Sequence, residues 1–144
     1  MRPDPLRNFR FRVDIAGIAQ IGFNEAALAE TTTDVIEDRV GTDPTHVMKL
    51  SGLTKYGNVT LKFGVTTDSK KLFDWHKAIL DGQIQKNRKT VTITVQDETG
   101  ADKARFVVNR AWPMKYDPSD LNGKGNEVFI ETLELCNEGV ERVA

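Results

Sequence analysis

Strict alternation of apolar and polar residues over short segments restricts the fold of this chain more than any other feature. Such alternation puts successive side chains on opposite faces of a β-strand, with one face on a core and the other in water. The pattern occurs in residues 8–16, 58–65, 90–96 and 103–109. The chain is therefore predicted to be mainly β, built from antiparallel strands.

The segments 90–96 and 103–109 lie on either side of Asp97–Gly100, whose residue types are typical of a tight turn. These two segments predict a β-hairpin. The segment 31–40, rich in Thr and Val, is predicted to be a further strand, and 24–29 a short helical turn. Residues 111–125 contain Pro113, Pro118 and two glycines, which predicts a loop.

The segment 68–81 predicts one α-helix. Asp68 is a candidate N-cap, and Gly82 is placed to end the helix in the left-handed conformation. A helical stripe of apolar character is expected to face the core, with Trp75 on its flank. The stripe consists of Leu72, Phe73, His76, Ile79 and Leu80.

The last strand is predicted over 127–137. Val128 and Ile130 share one parity, whereas Leu133 and Leu135 have the other. A bulge near Glu131–Thr132 would reconcile them, or else both faces of the strand are covered. Together the elements predict one domain, residues 1–144, with an antiparallel β-sandwich or barrel of about six to eight strands. One α-helix (about 68–81) flanks it, and a long extended loop (about 41–57) interrupts it.

Charge and cysteine content exclude several classes of protein. Lys plus Arg (20) and Asp plus Glu (21) nearly balance, so the whole molecule has no attraction for nucleic acid or anionic membranes. Cys136 is the only cysteine, which rules out an internal disulfide. The sequence has no apolar run typical of a secretory signal or a membrane span. We expect synthesis in a cytoplasm and no membrane insertion by this chain.

Candidate catalytic residues are sparse. His46 and His76 are the only histidines, and neither has a Cys or His partner at the spacing of a zinc site. His76 is expected at the edge of the core and Cys136 as a buried small apolar residue. The carboxylates are scattered, and no phosphate loop, nucleophile elbow or dinucleotide fingerprint occurs. The sequence predicts no catalytic site, no metal and no cofactor, and therefore a protein that is not an enzyme.

The extended loop 41–57 carries more apolar residues than a solvated loop needs. They are Val47, Met48, Leu50, Leu53 and Tyr56. A long loop in a small domain is usually functional. The apolar side chains are expected to lie on another molecule, unless the loop folds back on its own sandwich. Unused strand edges are an aggregation hazard, and strand addition between subunits would use them.

Five ordered blocks carry a resemblance to a known family. They are "DPLRNFRFRVDI" (4–15), "KLSGLTKYGNVTLKFGVT" (49–66), "LFDWHKAILDGQIQ" (72–85), "ARFVVNRAWPMKYDPSDLN" (104–122) and "NEVFIETLELCNEGVERV" (126–143). The chain resembles the tail tube proteins of contractile phages, the T-even-like tail tube family. It is more similar still to the inner tube proteins of phage-tail-like contractile injection systems.

The resemblance implies a structural subunit of an inner tube. Homohexameric rings would stack helically into a hollow conduit inside a contractile sheath, and strands of six subunits would join into one barrel around the lumen. Implied partners are further copies of the chain, the sheath protein, baseplate or tube-initiator proteins and tail-terminator proteins. Effectors or DNA would pass through the lumen without sequence-specific binding. The particle would be an injection system or a virion tail.

The resemblance also suggests roles for individual residues. The arm around 45–56 is expected to contact the neighbouring ring through His46, Val47, Met48, Leu50, Leu53 and Tyr56. Outward-facing residues of the first and third predicted strands are expected to line the lumen, namely Arg10, Arg12, Asp14, Thr60 and Lys62. The exposed helix face is expected to meet the sheath through Lys70, Lys71, Asp74 and Lys77. The family often has proline where Ser51 stands and a basic residue where Phe63 stands.

Three alternatives remain open from the sequence, one of them an enzyme that acts through an unrecognised carboxylate site. The same architecture serves the ring-forming tube protein of type VI secretion. A carbohydrate-binding β-sandwich is an alternative of a different class, and it would require exposed aromatic residues. Trp75 and Trp112 are instead expected to be packed.

Overall fold

The computed structural model describes residues 10–18, 22–28, 30–38, 47–64, 69–118 and 130–144, and antiparallel strands make up most of these residues. Within these ranges there are nine strands and one α-helix. In chain order the elements are β1 (Arg10–Ile15), β2 (Glu25–Leu28), β3 (Thr31–Asp38), β4 (Met48–Tyr56), β5 (Val59–Gly64), α1 (Lys70–Leu80), a 3-10 turn (Gln85–Asn87), β6 (Lys89–Gln96), β7 (Asp102–Pro118), β8 (Ile130–Cys136) and β9 (Gly139–Arg142). The mainly-β prediction with one flanking helix is confirmed.

Seven of these strands form two connected layers. The front layer has the order β1–β6–β7–β9, and the back layer has the order β7–β8–β5–β2. The long strand β7 belongs to both layers, because its first part pairs with β6 and β9 and its second part pairs with β8. Every pairing is antiparallel, as the alternating segments predict.

The transition between the layers lies at Arg110, which has the left-handed φ of 51°. This conformation is uncommon outside glycine, so neighbouring contacts have to hold it. Arg110 Nε lies 2.6 Å from a carboxylate oxygen of Glu138, and Arg88 Nη1 lies 2.5 Å from the other oxygen. Glu138 therefore ties the bend of β7 to the turn between β8 and β9.

The core lies between the two layers and is closed by α1. The front layer contributes Val13, Ile15, Val91, Ile93, Val108 and Ala111; the back layer contributes Val59, Leu61, Phe63, Leu133 and Leu135; the helix contributes Leu72 and Trp75. The alternating positions of 59–63 and 91–93 are buried as predicted. Full burial of such a side chain contributes about 1.5–3 kcal/mol, so these positions dominate the stability of the fold.

Helix α1 ends where the sequence predicts, because Gly82 has a φ of 86° and its N–H donates to the carbonyl of Ile79. The predicted N-cap Asp68 lies outside the described residues. The predicted apolar stripe is wrong in part, since Phe73 and Leu80 are exposed and Trp75 is buried. The indole Nε1 of Trp75 donates to the carbonyl of Asn87 at 2.6 Å. Leu72 and Trp75 are the two buried residues of the helix and face the core.

Two predictions, one of a turn and one of a loop, are corrected. Residues 25–28 are not a helical turn but strand β2, which pairs with β5. Residues 111–118 are not a loop but the second part of β7, and the remainder of that predicted loop lies outside the described residues. A register shift between Pro113 and Lys115 accommodates the proline that indicated a loop. Strand β9 has no counterpart in the prediction, because its four residues are too few to display a period.

The predicted bulge in the last strand is also wrong. The register between β5 and β8 is continuous from Val59–Leu135 to Gly64–Ile130. The core-facing positions of β8 are Glu131, Leu133 and Leu135, so the strand is regular and its first core position is a carboxylate. Val128, which suggested the parity change, lies outside the described residues.

Candidate assembly interface

The predicted extended loop is wrong for residues 48–56, which form strand β4. This strand pairs with β3 in a two-stranded hairpin, with registers from Thr31–Tyr56 to Asp38–Met48. The backbone of 48–56 gains its hydrogen-bond partners from the Thr-rich strand β3, so the segment is extended without belonging to either layer. The arm residue His46 and the tip of the hairpin lie outside the described residues.

The hairpin exposes apolar side chains along its described length. Every residue of β3 is exposed, and so is every residue of β4 except Gly52. The exposed apolar residues are Val35, Ile36, Val47, Met48, Leu50, Leu53 and Tyr56. Leu53 is 66% exposed and Val35 is 62% exposed. The alternative in which this segment folds back on its own sandwich is therefore wrong for the described residues.

The pairing of β3 with β4 changes register between Thr33 and Val35. Beyond it, Ile36 lies opposite Leu50, and Asp38 lies opposite Met48 on the same face. Gly52 makes room for this cluster, because a Cβ there would lie 3.1 Å from Cγ1 of Ile36. The hairpin thus presents an apolar cluster of Ile36, Met48 and Leu50, which we call the hairpin cluster.

The predicted lumen residues fall into two groups on different layers. Arg10, Arg12 and Asp14 lie on the outer face of β1 in the front layer, with Arg12 Nε 3.0 Å from a carboxylate oxygen of Asp14. Thr60 and Lys62 lie on the outer face of β5 in the back layer. Three strands separate β1 from β5. The structure brings the members of each group together but does not bring the two groups together.

The predicted sheath-facing residues lie on the outside of α1. Lys70, Lys71, Asp74 and Lys77 are all exposed. Lys71 and Asp74 also line an open, shallow cavity of about 280 Å³ next to Lys89 and Trp75. The exposed side of the helix is therefore mainly basic, with one carboxylate among three lysines.

A cluster of titratable residues at the junction of α1, β7 and β8 was not predicted. The hydroxyl of Tyr116 donates to the carboxylate of Glu131, and the ring of His76 stacks on Tyr116 with centroids 6.0 Å apart. Burial raises the pKa of Glu131 and lowers the pKa of His76. Glu131, Leu133 and Leu135 are every second residue of one strand and so lie on the same face. This alternation could have identified Glu131 as a core-facing residue. The edge position predicted for His76 is confirmed.

We expect Glu131→Gln to increase stability relative to the native chain at pH 7.5 and to have little effect at pH 4. A raised folded-state pKa means that the folded chain binds more protons than the unfolded chain, so stability falls as pH rises through that range. The amide of Gln carries no charge and can still accept from Tyr116. Thermal unfolding of both proteins at the two pH values measures the difference. An equal difference at both pH values would contradict the prediction.

Other candidate residues are unremarkable in position. Cys136 is only half-buried, so the expected full burial of this residue is wrong. Trp112 is half-buried, as a packed indole should be. Within the described ranges, no group of three or more His, Cys, Asp or Glu could hold a metal ion. No helix among the same residues is long and apolar enough to cross a bilayer.

Comparisons with known proteins agree with this geometry. The model of the family described as T4-like virus tail tube protein gp19 matches residues 7–141. A chain of the anti-feeding prophage cap, the tube-terminating cap, is similar with a TM-score of 0.84 and 25% identity, covering 99% of this chain and 93% of that chain. A chain of the sheath–tube complex of the extracellular contractile injection system PVC, in the extended state, has a TM-score of 0.83 and 26% identity, covering 97% and 92%.

A more distant similarity concerns the fold. Hcp1 from Salmonella typhimurium has a TM-score of 0.59 and 12% identity, covering 93% of this chain and 85% of that chain. At this level of identity the match establishes a common architecture of strands and helix only. No significant match was found among curated protein sequences.

Proposed function

The chain belongs to the T4-like virus tail tube protein family, as a structural tube subunit of a contractile system, and we propose that its copies form homohexameric rings that stack into a hollow conduit. The exposed hairpin is the observation that supports this most directly. Its apolar residues have no cover within the described chain. Exposed apolar surface of this kind marks a binding site for another molecule.

We assign the hairpin to the contact between rings. Val47, Met48, Leu50, Leu53 and Tyr56 are proposed to lie against subunits of the next ring, with His46 beside them. A second copy of the chain is the natural partner, because a repeating tube offers each subunit the same neighbour. The contact is heterologous, so it propagates along an axis instead of closing into a dimer.

The sheath is proposed to bind the outside of α1. Lys70, Lys71, Asp74 and Lys77 form an exposed, mainly basic surface that would suit an acidic sheath segment. Exposed ion pairs contribute about 0.2–1 kcal/mol each, which allows a contact that holds and then releases. The similar structures include a sheath–tube complex, a tube-terminating cap and a baseplate. We propose corresponding partners for this chain, and a mechanical role without catalysis.

Negative-stain microscopy of the purified chain tests the proposal. The expected result is rings with a central hole, or tubes made of such rings. Sedimentation of the same sample should show a species of about six subunits or larger. A monodisperse monomer at high protein concentration would be evidence against ring formation. Binding of the monomer to a glycan array would instead support the carbohydrate-binding alternative.

A further inference from the structure

Thr94 in β6 has a buried hydroxyl group without a hydrogen-bond partner. The residue is 0% exposed, and its Oγ1 is unpaired within the part of the chain that the structure describes. Most buried polar groups of folded proteins are hydrogen-bonded, because an unpaired one loses its contacts with water and gains none in return. The hydroxyl of Thr94 is therefore a group that a ligand from outside the chain can satisfy.

The side chain of Thr94 lies on the outer face of the front layer. Its neighbour Ile93 belongs to the core, and successive side chains of a strand point to opposite faces. Thr94 lies opposite Arg12 of β1 on one side and opposite Arg105 of β7 on the other. Residues directly opposite one another in a sheet lie on the same face. The hydroxyl is therefore covered by side chains of this outer face and not by the core.

Arg12, Thr94 and Arg105 form one row across three neighbouring strands, which we call the arginine row. Neighbouring strands lie about 4.8 Å apart, so the Cα atoms of the two arginines are separated by about 10 Å. Each arginine side chain is long enough to span half of this separation. A guanidinium group has five N–H donors, yet neither guanidinium pairs with the hydroxyl of Thr94. The row thus brings donors of three side chains to one place.

The carboxylates that pair with the two arginines belong to the rows on either side. Asp14 follows Arg12 by two residues in β1, and its Oδ2 lies 3.0 Å from Nε of Arg12. Asp102 Oδ2 lies 3.6 Å from Nη2 of Arg105. All four side chains are 39–46% exposed. Ion pairs at such exposed positions are weak, so an anion above Thr94 can compete with them.

We propose that the arginine row binds a tetrahedral oxyanion, with inorganic phosphate as the simplest example. The guanidinium groups of Arg12 and Arg105 hold it from two sides, and the hydroxyl of Thr94 donates from below. The planar guanidinium matches phosphate, since it donates two parallel hydrogen bonds to two oxygens. A carboxylate is less suited, because it has two oxygens for three donor side chains. Binding requires the two arginine side chains to move apart, which their exposed positions allow.

All three residues of the arginine row belong to one chain, so the site does not depend on ring formation. It goes beyond the proposed mechanical role, because it gives the front layer a fixed position for a phosphate group. A failure of phosphate binding would leave the proposed function intact. A chain that forms no rings would likewise leave the site intact.

Isothermal titration calorimetry with inorganic phosphate at low ionic strength tests the site. The native chain should bind phosphate saturably, with phosphate and chain in equal numbers. T94V keeps the shape of the side chain and removes the hydroxyl, so it should weaken binding by about tenfold or more, since a hydrogen bond to a charged group is lost. T94S keeps the hydroxyl and should retain binding. Equal affinities of T94V and the native chain would overturn the proposal.

Charge variants separate the arginine row from general attraction to the surface. R12Q and R105Q each remove one guanidinium group and should weaken phosphate binding by about tenfold or more. R10Q is the matched control, because it removes the same charge from the same face of β1, whereas Arg10 lies opposite Gln96 in another row. R10Q should leave the affinity nearly unchanged. Equal losses in R10Q and R12Q would show that phosphate follows the overall charge of the face, which would overturn the proposal.

Thermal unfolding provides a second measurement. Phosphate should raise the melting temperature of the native chain and of T94S, relative to sodium chloride at the same ionic strength, because a ligand of the folded state stabilises it. The rise should be lost in T94V. Acetate should produce a smaller rise than phosphate in the native chain. A folded native chain that binds no phosphate, or that binds acetate equally well, would overturn the assignment.

Discussion

Replacing Ile36 and Leu50 together with aspartate is expected to leave single rings that no longer stack into tubes. The two residues lie opposite each other in the hairpin cluster and are 51% and 47% exposed. Burial of each against another ring would contribute about 1.5–3 kcal/mol, and both contributions would be lost. Two carboxylates would also have to leave water without partners. Because the loss recurs at every subunit of a ring, stacking should be abolished.

The folded subunit should tolerate this change. Both side chains are already exposed, and substitutions of exposed residues usually change stability by about 0.5 kcal/mol or less. Aspartate is disfavoured in strands, which adds a cost within about 1 kcal/mol. Thermal unfolding and microscopy of the same preparation separate these effects. The expected outcome is a nearly unchanged melting temperature together with rings and no tubes.

A charge swap at the adjacent pair is the matched control. Glu37 and Lys49 lie opposite each other in the same hairpin. The double variant E37K/K49E keeps the pair, the net charge and the strand pairing, so tubes should still form. Tubes of normal length from I36D/L50D would show that the hairpin cluster is not part of the stacking contact. Loss of the rings themselves would place the cluster within the ring joint instead.

Alternation predicted the parts of this fold in which one face of a strand meets the core. In β5 the sequence parity and the observed burial agree at Val59, Leu61 and Phe63. In α1 the glycine at 82 predicted the end of the helix, because a left-handed residue is required there. Such positions are predictable because local chemistry and tertiary burial impose the same requirement.

The strand predicted over 31–40 is confirmed as β3, whereas β4 was not predicted as a strand, for a physical reason. Strand β4 faces no core of its own subunit, so burial imposes no two-residue period on its side chains. Its apolar residues still predicted a binding surface, since that inference depends on exposure and not on secondary structure. The bend of β7 at Arg110 and the joint between layers depend on distant contacts with Glu138, which no local pattern displays.

Substituting Phe63 with alanine is expected to cost about 3–5 kcal/mol of the free energy of unfolding. Phe63 is fully buried and makes an edge-to-face contact with Phe23 at a centroid distance of 5.9 Å. Domains of this kind are stable by about 5–15 kcal/mol in total, so the variant should be near the limit of folding. Urea unfolding should be measured at a protein concentration at which the chain is monomeric, since assembly raises apparent stability. Phe63→Leu is the control and should cost about 1 kcal/mol.

A basic residue at this position tests the same site in a different way. Phe63 lies directly opposite Glu131, and burial raises the pKa of that carboxyl group. A lysine at 63 would meet Glu131 on the core face and would favour its ionised form. F63K should therefore lower the pKa of Glu131. The loss of stability caused by F63K should be smaller in the native background than in the E131Q background. A double-mutant cycle should give a coupling of about 0.5–3 kcal/mol. A coupling of zero would mean that the two side chains do not meet, and the register between β5 and β8 would then need revision.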